Sequence, residues 1–517
     1  MILDIAGERT IRDLLSEQAS LRADWPALEF EEADGTRTTL TYQELAAQVQ
    51  AAAAGLSKIG IGHGDKVTIH MANCPDFVIT WFALAWLGAI MVPSNTGNEV
   101  AELEYVVEFS DSCAVVTEPR YLERIKVATA ALPEIRTIIL ARTTTPVEGT
   151  TLLVDLLSQG EVPPSPAVGA EDVQEMLFTS GTTARPKGVL LTHANALRAG
   201  ERYSRMLYLD RSDRLLTSLP LFHVNAQAVT LLPALTMGAT CIVLEEFRAS
   251  RYWQQIRDHD ATVTSIVAMR ARTLLAQPPH EDDLRHRIRR VFYAINVTDQ
   301  EKETFEARFG VEFINGYGLS EAMTVVCMAP VFGEKRWPSV GRPAIDRVVR
   351  LVDSEGRDVP PGQPGECIVQ GIPGRTLMKG YYKDPEATSA TIRDGWLHTG
   401  DQLVRDEQGF FYFFDRKKDM IKRAGENISA LEVESVIMDH PGVAEVAVVG
   451  VVDPIRDEAV KAFVVLKPGV SVTPEELVEF CSGRLARFKV PSEVEMLDAL
   501  PKTSIGKVQK GVLRSRG

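Results

Sequence analysis

The densest concentration of chemically useful residues is the stretch Thr179-Ser180-Gly181-Thr182-Thr183-Ala184-Arg185-Pro186-Lys187-Gly188. Small hydroxyl residues and glycine let backbone N–H groups and side-chain donors converge on one centre, as a polyphosphate requires. Lys187 adds positive charge. The order is Lys-Gly rather than Gly-Lys-Ser/Thr, and Gly181 and Gly188 stand too far apart for a Walker A loop. An apolar strand over Met176–Phe178 is expected to enter this loop and another over Val189–Leu191 to leave it, with a helix only after Thr192. A plain polar hairpin would carry the same composition, so the stretch alone leaves phosphate binding and a structural turn both open.

The elements that must hold such a loop are legible on either side. Thr41 and Glu44 have capping-box spacing ahead of an Ala-rich helix. Val67–His70, Ile138–Leu140 and Cys241–Leu244 read as strands separated by helix-length segments, the pattern of α/β layers with parallel strands. Phe77 to Val92 is apolar apart from Thr80. It falls short of the roughly 17–25 residues of a membrane span, Gly88 interrupts it, and no Lys or Arg flanks it closely. A buried helix to about Gly88 and then a short core strand are expected, with no integral membrane segment. The Pro- and Gly-punctuated segment 148–173 is expected to be a surface connection.

Beyond residue 410 the character changes. An aromatic strand, Phe410–Phe414, runs into the charged stretch Arg416-Lys417-Lys418-Asp419. Ser429 and Glu432 then start a helix, Val443–Val452 and Ala459–Leu466 read as strands, and Thr473-Pro474 with Glu476 opens another helix. These form an α+β unit of about 100 residues, a size at which a domain can stand alone.

Composition narrows the class. Acidic residues outnumber basic ones 70 to 56 in 517 residues, and apolar residues make up 45%. Such a chain is globular and of more than one domain, and its acidity argues against general nucleic-acid binding. The N-terminus lacks a basic region before an apolar stretch, which argues against a signal peptide. Six scattered cysteines, with no C-x-x-C pair and no zinc-ligand spacing, point to buried free thiols in a reducing compartment, the cytoplasm.

Five stretches in order, TSGTTARPKG (179–188), NGYGLSE (315–321), GWLHTGD (395–401), DRKKDMIKRAGENI (415–428) and PKTSIGKVQK (501–510), resemble the adenylate-forming family of acyl-CoA synthetases, luciferases and peptide-synthetase adenylation domains. The resemblance covers essentially the whole chain. It implies an α/β multi-layer N-terminal domain over 1–415, a hinge at 416–419 and a small mobile α+β C-terminal domain over 420–517. The implied reaction is attack of a carboxylate on the α-phosphorus of ATP, then capture of the acyl-adenylate by CoA, with Mg²⁺ as metal. A carboxylate of reference pKa about 4 is already ionised at neutral pH, so the task is positioning and charge neutralisation.

By resemblance, Thr179, Ser180, Gly181, Thr182, Thr183 and Lys187 cradle the β- and γ-phosphates. Tyr317 stacks on adenine, with Gly316 and Gly318 allowing close backbone approach. Glu321, with Thr179, serves Mg²⁺, and Ser320 contacts the α-phosphate. Asp401 and Arg416 hold the ribose, and Lys507 reaches the α-phosphate and carboxylate. Lys418 is the hinge residue, Gly425 comes to the thiol tunnel after the small domain rotates, and Arg487 and Lys489 are candidates for CoA phosphates.

Within the family the chain most resembles the bacterial carnitine/crotonobetaine–CoA ligases, through FTSGTTARPKGVLLTH, RRVFYAINVTDQEKETFEARFGV, RWPSVGR and DPIRDEAVKAFVVL. That group tends to carry Asp two residues after the pocket His. Here His223 is followed by Val224 and Asn225, which cannot neutralise a trimethylammonium. The acyl pocket is expected to combine His223, Asn225, Ala226, Ala268, Ala294, Ile295, Asn296, Gly316 and Met323, with His223 as an aromatic gate in preference to a catalytic base. Bulk at Ile295 points to a short or medium, partly polar acid. Ala184, where relatives have Gly, implies φ < 0 there. Only ten residues follow Lys507, which favours free CoA over a tethered arm. An amide ligase with an amine acceptor and a non-catalytic nucleotide-binding relative are the alternatives, and a homodimer is one assembly the family allows.

Overall fold

A computed structural model describes residues 5–157, 164–179, 186–294, 297–416, 419–423, 426–453, 457–482, 484–485, 487–502 and 508–516. The local signals build as the residue types require. Thr41 accepts the Glu44 amide and the Glu44 carboxylate accepts the Thr41 amide, closing a capping box on helix Tyr42–Lys58. Helix Pro75–Leu87 starts with proline at its first turn and ends at Gly88, whose φ of 71° suits a residue without Cβ. Strand Ile90–Pro93 follows. Phe77 through Ala85 are all buried, so this apolar run is core. Among the described residues no helix is long and apolar enough to cross a membrane.

Two large sheets carry the first part of the chain. In the eight-stranded one, Lys66–His70 pairs in parallel with Ile90–Pro93 and Ser112–Thr117, and Val173–Thr179 with Lys187–Thr192 forms an antiparallel hairpin at one side. In the nine-stranded one, Arg214–Thr217, Val263–Val267, Arg290–Ala294 and Phe313–Leu319 run parallel, and Thr324–Met328 turns back antiparallel. One apolar cluster joins both sheets through helices Tyr42–Lys58, Pro75–Leu87 and His193–Met206, and includes Val67, Trp81, Leu215 and Phe292. A second cluster, with Ile266, Tyr293 and Phe305, covers the other face of the nine-stranded sheet. All six cysteines are free and buried.

The connection over 148–173 is a correction to the sequence reading. Thr150–Leu152 adds an edge strand to the eight-stranded sheet, and Leu153–Leu157 is a short helix with Leu153 and Leu156 buried. A Cβ on Gly55 would lie 2.6 Å from Leu156, so this helix sits tightly on helix Tyr42–Lys58. Its apolar residues, TLLVDLL, outweigh the Pro and Gly that follow them.

A third sheet, built on Val348–Val352, Pro364–Gln370 and Trp396–Arg405, receives Phe411–Arg416 as an antiparallel partner. The remainder has a sheet and core of its own. Val443–Asp453 pairs with Asp457–Leu466, and helices Ala430–Met438 and Pro474–Ser482 supply the apolar cover. The join to the third sheet is specific: the Asp415 carboxylate accepts from Ser429 Oγ at 3.1 Å and from the Leu431 amide at 3.3 Å, at the start of helix Ala430–Met438. Favourable placement of a carboxylate at a helix N-terminus explains the choice of residue.

Strand Val173–Thr179 carries one buried acid. Glu175 is fully buried, and the Gln227 amide donates to it at 2.8 Å. Burial pushes its carboxyl from 4.5 up to about 7. The unfolded chain ionises this group first as pH rises, so stability is lost between about pH 4.5 and 7, by roughly 3 kcal/mol. Glu175→Gln keeps the shape without the titration. Denaturant unfolding at pH 5 and pH 8 should show the variant less weakened at the higher pH than the parent; equal losses would contradict this.

Candidate active site

Thr179 ends its strand opposite Lys187, so the phosphate-loop candidate spans the tip of an antiparallel hairpin. Ser180, Gly181, Thr182, Thr183 and Ala184 lie outside the described residues. The two flanks are pinned. Pro186 O accepts from the Tyr105 hydroxyl at 2.8 Å, and Lys187 Nζ lies 4.8 Å from the centre of the Tyr381 ring. Helix His193–Met206 follows the hairpin, capped by Thr192 and Asn195, as the sequence suggested.

Strand Phe313–Leu319 delivers the next group. A Cβ on Gly316 would meet the Phe292 ring at 2.7 Å, and one on Gly318 the Thr324 carbonyl at 2.3 Å. Protein neighbours thus fill the side of each glycine where a Cβ would lie. Tyr317 is buried with Val326, Leu403 and Phe411, and its hydroxyl donates to Asp401 Oδ2 at 2.7 Å. Burial, and then the Asp401 charge, hold that hydroxyl protonated. Asp401 stands opposite Arg416 in the strand register, although the Arg416 side chain lies outside the described residues. Tyr317 thus fastens the nine-stranded sheet to the sheet that carries Asp401 and Arg416.

Glu321 follows on a single 3₁₀ turn, Ser320–Ala322. Its Oε1 accepts from the Tyr381 hydroxyl at 2.9 Å, and its carbonyl accepts from the Met378 amide at 2.8 Å. Among the described residues no Lys or Arg lies within ion-pair distance of Glu321, so a hard, half-buried carboxylate faces the hairpin with no cation of its own. That donor suits Mg²⁺ beside phosphate oxygens. No cluster of three or more metal-ligating side chains occurs among the described residues. Met323 and Thr324, just beyond, have φ of 43° and 69°. Non-glycine residues in this region cost on the order of 1–3 kcal/mol each and persist only where neighbours impose them.

The acyl-pocket candidates gather in part. Ala226 and Met323 share the largest apolar cluster, with Ala294 packed against it; Phe292, which a Cβ on Gly316 would meet, belongs to the same cluster. Asn225 accepts from Ser265 Oγ at 2.9 Å. Ala226–Leu231 forms a π-helical turn, a wide coil often found at functional sites. His223 packs on Phe222 with ring centres 4.8 Å apart, and burial lowers its imidazole to about 4. It is therefore neutral and a poor base, in keeping with the gate reading. Ala268 belongs to a different apolar cluster, with Ile266 and Tyr293. It begins helix Ala268–Leu275 directly after strand Val263–Val267. Ile295 and Asn296 lie outside the described residues.

The same holds for Lys418, Gly425 and Lys507. Lys502 and Val508 are bridged on either side of the last of these. Of the CoA candidates, Arg487 is exposed, whereas Lys489 is engaged by Glu432 at 2.6 Å. One site residue escaped the sequence reading. Tyr381 contacts both Glu321 and Lys187, and only the pairing of Gly380–Tyr381 with Lys187–Thr192 brings it there. No local pattern around it signals that role.

The AMP-binding enzyme family matches residues 15–382, and the AMP-binding enzyme C-terminal domain matches residues 432–507. A crotonobetaine/carnitine–CoA ligase of Escherichia coli O157:H7 is 38% identical over 511 residues, covering 98% of this chain and 99% of the relative. A benzoate CoA ligase from Burkholderia xenovorans LB400 superimposes with a TM-score of 0.87 at 26% identity, covering 98% of this chain and 100% of that one. The o-succinylbenzoate coenzyme A synthetase from Bacillus subtilis, solved with ATP and magnesium ion, gives 0.83 at 27% identity over 98% of this chain and 99% of that one.

The Tyr317–Asp401 hydrogen bond has a measurable worth. Tyr317→Phe removes a donor to a buried charged acceptor, and should cost about 1.5–3 kcal/mol of unfolding free energy. Urea denaturation checks this; a change below about 0.5 kcal/mol would show the bond to be incidental.

Proposed function

This chain belongs to the AMP-binding enzyme family, and we propose that it is an AMP-forming acid–CoA ligase. A carboxylate attacks the α-phosphorus of ATP, pyrophosphate leaves, and the CoA thiol then displaces AMP to give acyl-CoA. The observation that carries this reading is the convergence of Lys187, Tyr381 and Glu321 at the hairpin with the Tyr317–Asp401 pair behind them. Such a site neutralises and orients; among its described residues there is no activated nucleophile or base. The incoming carboxylate is ionised already, and a neutral His223 suits a gate on the acyl side.

The residue roles follow from that reading. Thr179, Lys187 and the loop between them bind the β- and γ-phosphates. Glu321 with Thr179 would hold Mg²⁺, which supplies charge neutralisation to the phosphates when bound. Tyr317 stacks on adenine, Ser320 contacts the α-phosphate, and Asp401 with Arg416 holds the ribose. Lys507 brings an ammonium to the α-phosphate as charge develops there. The chain divides into lobes of 1–415 and 420–517 about a hinge at 416–419. Rotation about Lys418 replaces Lys507 by Gly425 for the thiol step, and Arg487 contacts CoA phosphate. The supporting feature is the separate sheet and core of the last hundred residues.

The acid is short or medium and partly polar. Asn225, tied to Ser265, is uncharged and cannot pair a trimethylammonium. That distinguishes this pocket from one built for carnitine, despite the likeness to the crotonobetaine/carnitine–CoA ligases.

Pyrophosphate release over a panel of betaines, short enoates and aryl acids, with and without CoA, tests the reaction. Turnover with CoA and one acid class is expected; turnover only with an amine acceptor would indicate an amide ligase. Lys507→Ala should slow adenylation by about 10²–10³-fold and leave thioester formation from supplied acyl-adenylate largely intact. Equal losses in both half-reactions would contradict the role given to Lys507.

A further inference from the structure

Behind the Glu321 turn lies a buried charge cluster that the reaction chemistry leaves unused. Arg198, Arg202, Asp346 and Arg347 are all buried. Asp346 accepts from Arg202 Nε at 2.5 Å and Nη2 at 2.7 Å, and from Arg198 Nη1 at 3.4 Å. Three guanidinium groups thus surround one carboxylate among the described residues. Stability alone gives no reason for such an excess, because each buried charge carries a desolvation cost.

The hydrogen bonds show what the excess is used for. Arg347 donates to the Ala322 carbonyl, to Val325 O at 3.3 Å and to Thr376 O at 2.5 Å. Arg202 Nη1 donates to Met323 O at 3.3 Å. The Tyr203 hydroxyl meets Thr324 Oγ1 at 2.8 Å. Every residue from 322 to 325 is therefore gripped from behind, and two of them, Met323 and Thr324, have the left-handed φ values that need external support. Arg347 also reaches Thr376, two residues before the Met378 amide that donates to Glu321 O. Its planar fork spans both sides of the turn that presents Glu321.

We infer that Arg347 and Arg202 are positioning residues that hold the 322–325 segment in its strained form, and so fix the Glu321 carboxylate where a magnesium–nucleotide complex can use it. This rests on the ligase reading only in taking Glu321 as the metal-facing group. The grip acts through geometry. A lysine at 347 keeps the charge as a point, without the fixed fork that reaches three carbonyls at once.

Arg347→Met and Arg347→Lys are the variants to compare with the parent chain. Removing a cation from a cluster already rich in cations should leave the chain folded, which circular dichroism checks. Calorimetry then measures ATP affinity with Mg²⁺ and with EDTA. Both variants should lose about tenfold of the gain in affinity that magnesium brings, with metal-free affinity within about twofold of the parent. Pyrophosphate release should need a correspondingly higher magnesium concentration, while thioester formation from supplied acyl-adenylate stays unchanged. A parental magnesium gain in either variant would overturn the inference. If Arg347→Met does not fold, Tyr203→Phe removes one hydroxyl from the same grip, and should lower the magnesium gain about threefold; no change would again overturn it. A parent chain that binds ATP with a magnesium gain but releases pyrophosphate with no acid would refute the ligase reading and leave this inference standing.

Discussion

A buried carboxylate must be satisfied, and Asp401 is the one on which this site is assembled. It lies in the third sheet, and its partner hydroxyl comes from Tyr317 at the end of the nine-stranded sheet. That bond ties together at one corner two sheets that also meet through the Gly341–Phe411 backbone bridge. The hairpin of the eight-stranded sheet reaches the same corner through Tyr381, which bonds Glu321 and lies beneath Lys187. Lys187, Glu321 and Asp401 are therefore brought together where three sheets meet. The site depends on packing between layers as much as on any single motif: one apolar cluster joins the eight- and nine-stranded sheets, and another packs Tyr317 and Val326 against Leu403 and Phe411 of the third.

Much of this was legible in the residues. The capping box at Thr41, the Gly88 stop after an apolar helix and the two strands that flank Thr179–Lys187 all follow from local rules that reach only a few residues. The short helix at Leu153–Leu157 was hidden because proline and glycine nearby outweighed a brief apolar run, and because its worth lies in the contact with Gly55. Tyr381 was invisible for a related reason: it becomes a site residue only when Gly380–Tyr381 pairs with a strand far earlier in the chain. Ala268 follows strand Val263–Val267 and packs with Ile266 and Tyr293, and a linear reading cannot see which neighbours a chain takes on leaving a strand.

The turn at Glu321 shows where order is concentrated. Glycines at 316 and 318 admit the Phe292 ring and the Thr324 backbone, so the strand and its returning partner approach more closely than side chains would allow. The cost appears immediately afterwards as left-handed φ values at Met323 and Thr324, and the buried arginines meet it. Tight approach, strain and grip form one unit, with Glu321 at its outer edge. A site that works by charge placement has to be rigid in this way, because electrostatic stabilisation needs groups already aimed at where charge appears.

The central claim is that the acid's own oxygen forms the bond to the α-phosphorus. Isotope tracing tests it directly. An accepted acid labelled with ¹⁸O in its carboxyl group is turned over with ATP and CoA, and the products are weighed by mass spectrometry. AMP carrying one ¹⁸O atom is the result the account predicts. Label appearing in inorganic phosphate, with ADP as the nucleotide product, would contradict it.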